Sequence, residues 1–504
     1  MSGQRESRVA LARGGIVGFV GAALSAVLGF LLSVLLARLL GSAGSGVVTQ
    51  ATGVFSLVMA MAKLGFDSAA IYLMPRLRVD RPEEIRSCLT YMGTLTVVIS
   101  LAVVLVLELV APLIWGGDDP SVRDAIRAIL WFIPVGALTI VAAAALRALG
   151  NMREYVLVQS VTLPVLRPVL VAVAVAMGGS LTVVSLSWAL PFAVVLVLSW
   201  FLLVRHLPAE DRTGPQPRWP GRERRRAIMG FALPRTLSAA LEQGLTWLDV
   251  LIVGLLAGNG PAGVYGGASR YIQAGLIVDT ALRIVVSPQF SRLMHMERIE
   301  ELRALYSTAT IWLVLFATPI HLLMAIFSPC LMLILGPEFR SGSWVLVILC
   351  CGAMVTFCAG NIHSLLIMSG RSGWAALNKA VVLAVNVLGN LVLVPVMGID
   401  GAALSWAVCM VVDAALATIQ VVHFLDVRPA VADVLRPLLG VGVCVGIPAG
   451  LVALALGRDS LLGLGVGILV SGVCLGAMCR LMRGPLHLSG LGSMLGSKIR
   501  RRQG

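Results

Sequence analysis

Apolar residues fall in long blocks along this chain, and polar positions collect in the gaps between the blocks. Runs of about 20 apolar residues, enough for a helix to cross a bilayer's hydrocarbon core, lie near 15–40, 46–74, 88–115, 125–149, 154–177, 181–205 and 228–257. They continue near 262–290, 303–328, 343–369, 374–396, 400–424, 434–456 and 461–482. Numbered in chain order, these predict an all-α membrane protein of about 14 transmembrane helices. The longest polar interruption, RHLPAEDRTGPQPRWPGRERRRA at 205–227, follows helix 6. The short gaps WGGDDPSVRDA, GNGPAG, GPEFRSGS, GID and GRDS leave no room for a soluble domain.

The central linker invites a search for duplicated halves, a common plan in transporters. MGGSLTVVSLSWAL (177–190) resembles MGIDGAALSWAV (397–408), with Met177 and Met397 220 residues apart. LLGSAGSGVV (39–48) matches LLAGNGPAGVY (255–265) at about 217, and APLIWGGDD (111–119) faces SPCLMLILGPEF (328–339) at a similar offset. The expectation is an N-terminal lobe of helices 1–6 (1–205), a linker (206–227) and a C-terminal lobe of helices 7–12 (228–425). Helices 13–14 and a basic tail (426–504) follow. Six is even, so the two lobes are expected to be related by an axis along the membrane normal.

Composition agrees: 58% hydrophobic residues, 13% charged and a mean hydropathy of +0.94, against about 25% charged in soluble domains. The net charge of +14 would suit nucleic acid, but its placement argues otherwise. With a cytoplasmic N-terminus, 29 of the 39 basic residues fall in inside segments and five outside: Arg38, Arg123, Arg127, Arg340 and Arg458. This positive-inside bias predicts a multi-pass protein of the cell inner (plasma) membrane with both termini cytoplasmic, and no nucleic-acid partner. The SKIRRRQG tail reads as a topology anchor with a secondary affinity for anionic lipid. The first apolar run is too long for a signal-peptide core and is expected to stay.

Motifs for bond-breaking chemistry are missing. The three lysines, Lys63, Lys379 and Lys498, follow Ala, Asn and Ser, so there is no Gly-Lys phosphate loop. There is no HExxH or CxxC, and most of the nine cysteines lie within helices as small apolar fillers. His321 and His363, in helices 9 and 10, read as packed structural residues. GLGVG at 463–467 sits inside helix 14, where close helix packing explains its glycines. The expectation is a transporter rather than an enzyme, with no metal, no cofactor and no catalytic residues.

What remains are charges inside apolar runs, each costing at least ~2.5–3.5 kcal/mol at a bilayer centre. Helix 7 carries Arg235, Glu242 and Asp249 at spacings of seven, hence on one face. Helix 8 carries Arg270, then Asp279 and Arg283 as i,i+4 neighbours. With helices 7 and 8 antiparallel, Asp249 and Arg270 fall at similar depth, Glu242 and Asp279 near the middle, and Arg235 and Arg283 in the inner half. Helix 2 adds Lys63 and Asp67 at i,i+4, and helix 5 adds Arg167 before Pro168. Two readings stand: fixed interhelical salt bridges, or the lining of a polar cavity.

Several stretches carry a resemblance: ARLLGSAGSG, LGFDSAAIYLMPR, ALRALGNMREY, FALPRTL, GVYGGASRYIQ, LGPEFRSG and MGIDGAALSWA, spanning about 37–408. Together they are similar to the oligosaccharide flippases, the Wzx-like polysaccharide transporter branch of the MATE-like MOP superfamily, which also includes the lipid II flippases. The resemblance implies a two-lobed MATE-like fold with a central cationic cavity and alternating access. It implies a polyprenyl-pyrophosphate-linked oligosaccharide as substrate, moved from the inner to the outer leaflet for cell-surface polysaccharide biosynthesis. Glycosyltransferases or a glycan polymerase would be its working partners in the bilayer. Arg270, in YGGASRY, sits where the lipid II flippases carry a pyrophosphate-holding arginine. The substrate-binding set is then Arg270, Arg167, Lys63, Asp67, Glu242, Asp249, Asp279 and Arg283. The lipid II flippases also carry arginines within helix 1, and this chain has none there before Arg38, which argues against lipid II itself. Coupling to an ion gradient or to the membrane potential is open, with Asp67, Asp249, Asp279 and Asp413 as candidate carboxylates. A cation-coupled multidrug antiporter of the same fold is the alternative reading. A membrane glycan polymerase or ligase is disfavoured for want of a sizeable outside loop.

Overall fold

The computed structural model describes residues 2–115, 120–207, 219–428 and 431–482. Most of the linker expected at 206–227 and nearly all of the basic tail lie outside the described residues. Every regular element among the described residues is helical. Among the described residues, eleven helices are long and apolar enough to cross a membrane, or twelve if Pro120–Leu130 and Ile133–Leu149, bent by 47°, form one span.

The sequence predicts about fourteen, and two places account for the difference. Helices 1 and 2 run together as Ser2–Ala62, with Gly41 (φ 68°, ψ −172°) as a non-helical joint. Helix 8 divides at Leu276 (ψ −2°) into Asn259–Gly275 and Ile277–His295. Neither piece qualifies as a span by length and apolarity.

Packing divides the chain into two compact units, Met1–Gly263 and Val264–Gly504. In the first, Phe55 meets Trp188 edge to face (centroids 5.5 Å apart) and lies 5.4 Å from Phe192, anchoring a core with Ile126, Ile129 and Ile133. The Arg222–Ala257 helix belongs to this unit, where Ile228 and Ala232 join a core formed by Phe66, Met74 and Met92. At its far end Gln50 Nε2 donates to Asn259 Oδ1 at 2.9 Å. At its start Arg224 donates to Glu84 at 2.9 Å, and Glu84 also accepts from Arg81 at 2.9 Å.

The second unit is organised around Ile299–Ile326, of which Tyr306, Leu313, Val314 and Leu315 are buried. Beside it Ser372–Met397 and Ile399–Leu425 are joined by a polar seam. Asn378 and Gln420 exchange amide hydrogen bonds at 2.8 and 2.7 Å, and Ser405 Oγ donates to the Asn386 carbonyl at 3.1 Å. Lipid tails give helices no hydrophobic reason to associate, so such bonds and close packing fix the neighbours.

Candidate functional site

The densest group of intramembrane charges in the first unit forms where helix 2 is broken. Ser2–Ala62 ends, two successive residues turn left-handed (Leu64 φ 51°, Gly65 φ 64°), and Phe66–Asp80 begins. A left-handed leucine costs about 1–2 kcal/mol, so the surroundings must hold it. They do so through Gly65: a Cβ there would come within 2.6 Å of the Ala232 carbonyl oxygen, so a side-chain-free residue lets helix 7 close on the break.

Charge then gathers around the break. Lys63 Nζ lies 2.7 Å from Asp67 Oδ2, with the two side chains 17% and 22% exposed. Helix 7 supplies Arg235, whose Nε donates to Ser68 Oγ at 3.2 Å, and Glu242 one heptad further on. Lys63, Asp67, Ser68, Arg235, Glu242 and Gln243 line a cavity of about 90 Å³, room for roughly three waters. Asp67 Oδ1 is buried there and has no hydrogen-bond partner among the described residues. Two cations, two anions and two neutral polar groups face one water-sized space, a charged lining that contact with lipid would not tolerate.

Of the residues singled out in the sequence, the structure brings Lys63, Asp67, Arg235 and Glu242 together. The heptad spacing places Arg235 and Glu242 on one face, and what that face meets is the break in helix 2. Asp249, third in the series, is 4% exposed. Arg167 lies elsewhere in the first unit, its guanidinium 4.0 Å from the Trp188 ring centroid and 4.9 Å from that of Phe192. Aromatic faces attract a cation by about 2 kcal/mol or more when desolvated. The sequence gives no sign of this partnership, although Trp188 lies in the repeat segment 177–190.

Arg270, Asp279 and Arg283 belong to the second unit. Arg270 is half-buried and donates to Gln273 Oε1 at 3.1 Å, one helical turn on. Its neighbour Tyr271 pins the same helix by donating to the Leu331 carbonyl at 2.6 Å. Asp279 and Arg283 stand 3.6 Å apart just beyond the Leu276 break. Ser68 and Gln243 are lining residues that sequence reasoning missed, because a lone Ser or Gln in an apolar run carries no signal of which helix it will face.

Residues 11–294 match the family described as polysaccharide biosynthesis protein. The chain belongs to that family. The motifs ARLLGSAGSG, FALPRTL and GVYGGASRYIQ all lie inside the matched region, and the resemblance they carry is borne out. A curated relative is the probable low-salt glycan biosynthesis flippase Agl15 of Haloferax volcanii, 23% identical over 294 residues. That match covers 56% of this chain and 58% of the relative, so the chain spans little more than half of that protein's length.

Among solved structures, the fold is similar to the lipid II flippase MurJ in an inward closed conformation. The TM-score is 0.70 at 14% identity, over 93% of this chain and 99% of that one. It is also similar to an inward-facing multidrug resistance MATE family transporter of the MOP superfamily, with TM-score 0.66 at 14% identity, over 80% and 94%. A MOP superfamily transporter from Pyrococcus furiosus aligns with TM-score 0.58 at 14% identity, over 83% and 95%. At these identities the likeness establishes the MATE-like fold, which this member of the polysaccharide biosynthesis family shares.

Proposed function

We propose that this protein is a flippase, not an enzyme, carrying a polyprenyl-pyrophosphate-linked oligosaccharide from the inner to the outer leaflet of the cytoplasmic membrane by alternating access. The observation that carries the reading is the charged cavity at the helix 2 break. Four ionisable side chains are kept inside membrane helices at a cost of several kcal/mol, and that cost is met where a polar solute must pass. Family membership and the glycan flippase relative support a lipid-linked glycan as that solute.

Only electrostatics and shape are asked of the protein. Its arginines offer the pyrophosphate a planar fork with two parallel donors, the polar wall accepts the sugars, and the polyprenyl chain stays in hydrocarbon. Arg270 leads the substrate-binding set, with Arg167, Lys63, Asp67, Glu242, Asp249, Asp279 and Arg283. The repeated halves at 1–205 and 228–425 are the two lobes that alternate, although the Arg222–Ala257 helix packs with the first compact unit, and both termini are cytoplasmic. An inside-negative potential favours outward movement of an anion by about 2.3 kcal/mol per charge per 100 mV.

Deleting the gene in its source organism tests the reading. Surface glycan should fall, and lipid-linked oligosaccharide should accumulate shielded from an impermeant glycosidase in spheroplasts. Unchanged surface glycan together with lost resistance to cationic dyes would replace the flippase by a drug antiporter.

A further inference from the structure

The unit Val264–Gly504 contains two interrupted helices, each placing a titratable side chain within a turn of its break. Ser343–Cys358 stops at Ala359, Gly360 (φ 62°) and Asn361 (ψ 44°), and the chain resumes as Ile362–Met368 with His363 second in line. Neighbours hold this break. Tyr306 donates its hydroxyl to the Ala359 carbonyl at 2.6 Å, and the Thr310 side chain occupies the space where Gly360 lacks a Cβ. Helix 8 breaks at Leu276 and resumes with Asp279 third in line. Discontinuous helices with re-satisfied backbone groups are where transporters build ion and substrate sites.

The two breaks feed one group of charges. His363 Nε2 lies 3.0 Å from Asp413 Oδ2, contributed by Ile399–Leu425. Asp279 is within electrostatic reach of His363 and stands 3.6 Å from Arg283. Asp413 Oδ1 is buried and has no hydrogen-bond partner among the described residues. The third helix packed on this segment, Ser372–Met397, brings Lys379, with Arg371 at its N-cap. Arg371 lies over the Phe424 ring at 3.9 Å, and Lys379 makes no hydrogen bond or ion pair among the described residues. With a neutral imidazole the His363–Asp413–Asp279–Arg283 group carries one net negative charge; one added proton makes it neutral. Imidazole is the side chain whose ordinary proton affinity falls in the physiological range.

We infer that His363 and Asp413, faced by Asp279, form the binding site for a proton that drives the transport cycle. The proton comes from water, adds to the imidazole lone pair as a new N–H bond, and returns to water when the site opens to the other side. Bound, it gives Asp413 a cationic partner at 3.0 Å and sets a second cation within reach of Asp279; released, it leaves Asp279 with Arg283 and removes the cation beside Asp413. That change alters the attraction between the two broken helices and the Ile399–Leu425 helix, which biases the conformation of this unit.

What the proton drives rests on the flippase reading, but its binding does not, and the experiment separates them. Purified protein in liposomes on a solid-supported membrane, with no glycan present, is stepped from about pH 8 to about pH 5. The expected result is a transient charge displacement that His363→Gln and Asp413→Asn each reduce to the level of protein-free liposomes. Size exclusion checks that each variant is folded; should His363→Gln not fold, Asp413→Asn removes the same pair from the other side. A wild type without displacement, folded variants that keep it, or a displacement evoked by sodium at constant pH in place of protons overturns the site. If displacement behaves as expected and the deletion strain still exports glycan, the flippase reading fails and the proton site stands.

Discussion

Lys63 and Asp67 face each other at 2.7 Å across a break in helix 2, with the two left-handed residues Leu64 and Gly65 between them. An ion pair along a regular helix would contribute little, about 0.3–0.5 kcal/mol. Here it ties two segments together beside Arg235 and Glu242. Asp67→Asn leaves Lys63 and Arg235 with Glu242 as the remaining carboxylate of the cavity, and should cost about 1–3 kcal/mol. Lys63→Met should cost less, and the double variant less than the sum, with a coupling of about 0.5–3 kcal/mol in thermal or denaturant unfolding. Additive losses would mean that the pair does not hold the break.

Gly65 tests the same break through the backbone. Its φ of 64° disfavours any side chain, and an added methyl meets the Ala232 carbonyl oxygen. Gly65→Ala should destabilise by about 2 kcal/mol or more and lower the amount of folded protein in the membrane. Gly230, where an added Cβ meets nothing, is the control: Gly230→Ala should be neutral or slightly stabilising.

Much of the fold was legible because crossing a bilayer forces long apolar runs, and those survive as helices even with Pro75, Pro112, Pro168, Pro234 and Pro395 inside them. The breaks that matter were not legible. They fall at Gly65, Leu276 and Gly360, and a lone Gly or Leu within an apolar run says nothing of its φ or ψ until neighbours such as Ala232 or Thr310 are in place. The site was half legible for the same reason. A spacing of seven assigns Arg235 and Glu242 to one face, but which helix that face meets is decided by tertiary packing. Arg167 shows the limit most clearly, because nothing near it in sequence announces that its partners are the rings of Trp188 and Phe192.

That stack makes its own prediction. Trp188→Leu keeps apolar bulk and removes the indole face, and should destabilise by about 1–3 kcal/mol. Trp188→Phe should fall between wild type and Trp188→Leu. In an Arg167→Met background the Trp188→Leu change should cost less, by about 1–2 kcal/mol. Equal costs in both backgrounds would show that Trp188 serves only as core volume.

Arg270 bears most directly on function, and its charge can be separated from its bulk. Its side chain is half-buried and reaches Gln273, so truncation to Ala removes packing as well as charge. Arg270→Met retains most of the apolar stem and loses only the guanidinium. If the charge serves an anionic headgroup, Arg270→Ala and Arg270→Met should both abolish glycan export, with membrane protein level held within about a factor of two. Arg270→Lys should export at an intermediate level, since an ammonium keeps the charge and loses the two-pronged fork. A packing role gives a different order, with Arg270→Met close to wild type and Arg270→Ala poorly expressed. Measuring surface glycan and membrane protein level for the three variants side by side decides between them, and full export by Arg270→Met would remove Arg270 from the substrate path.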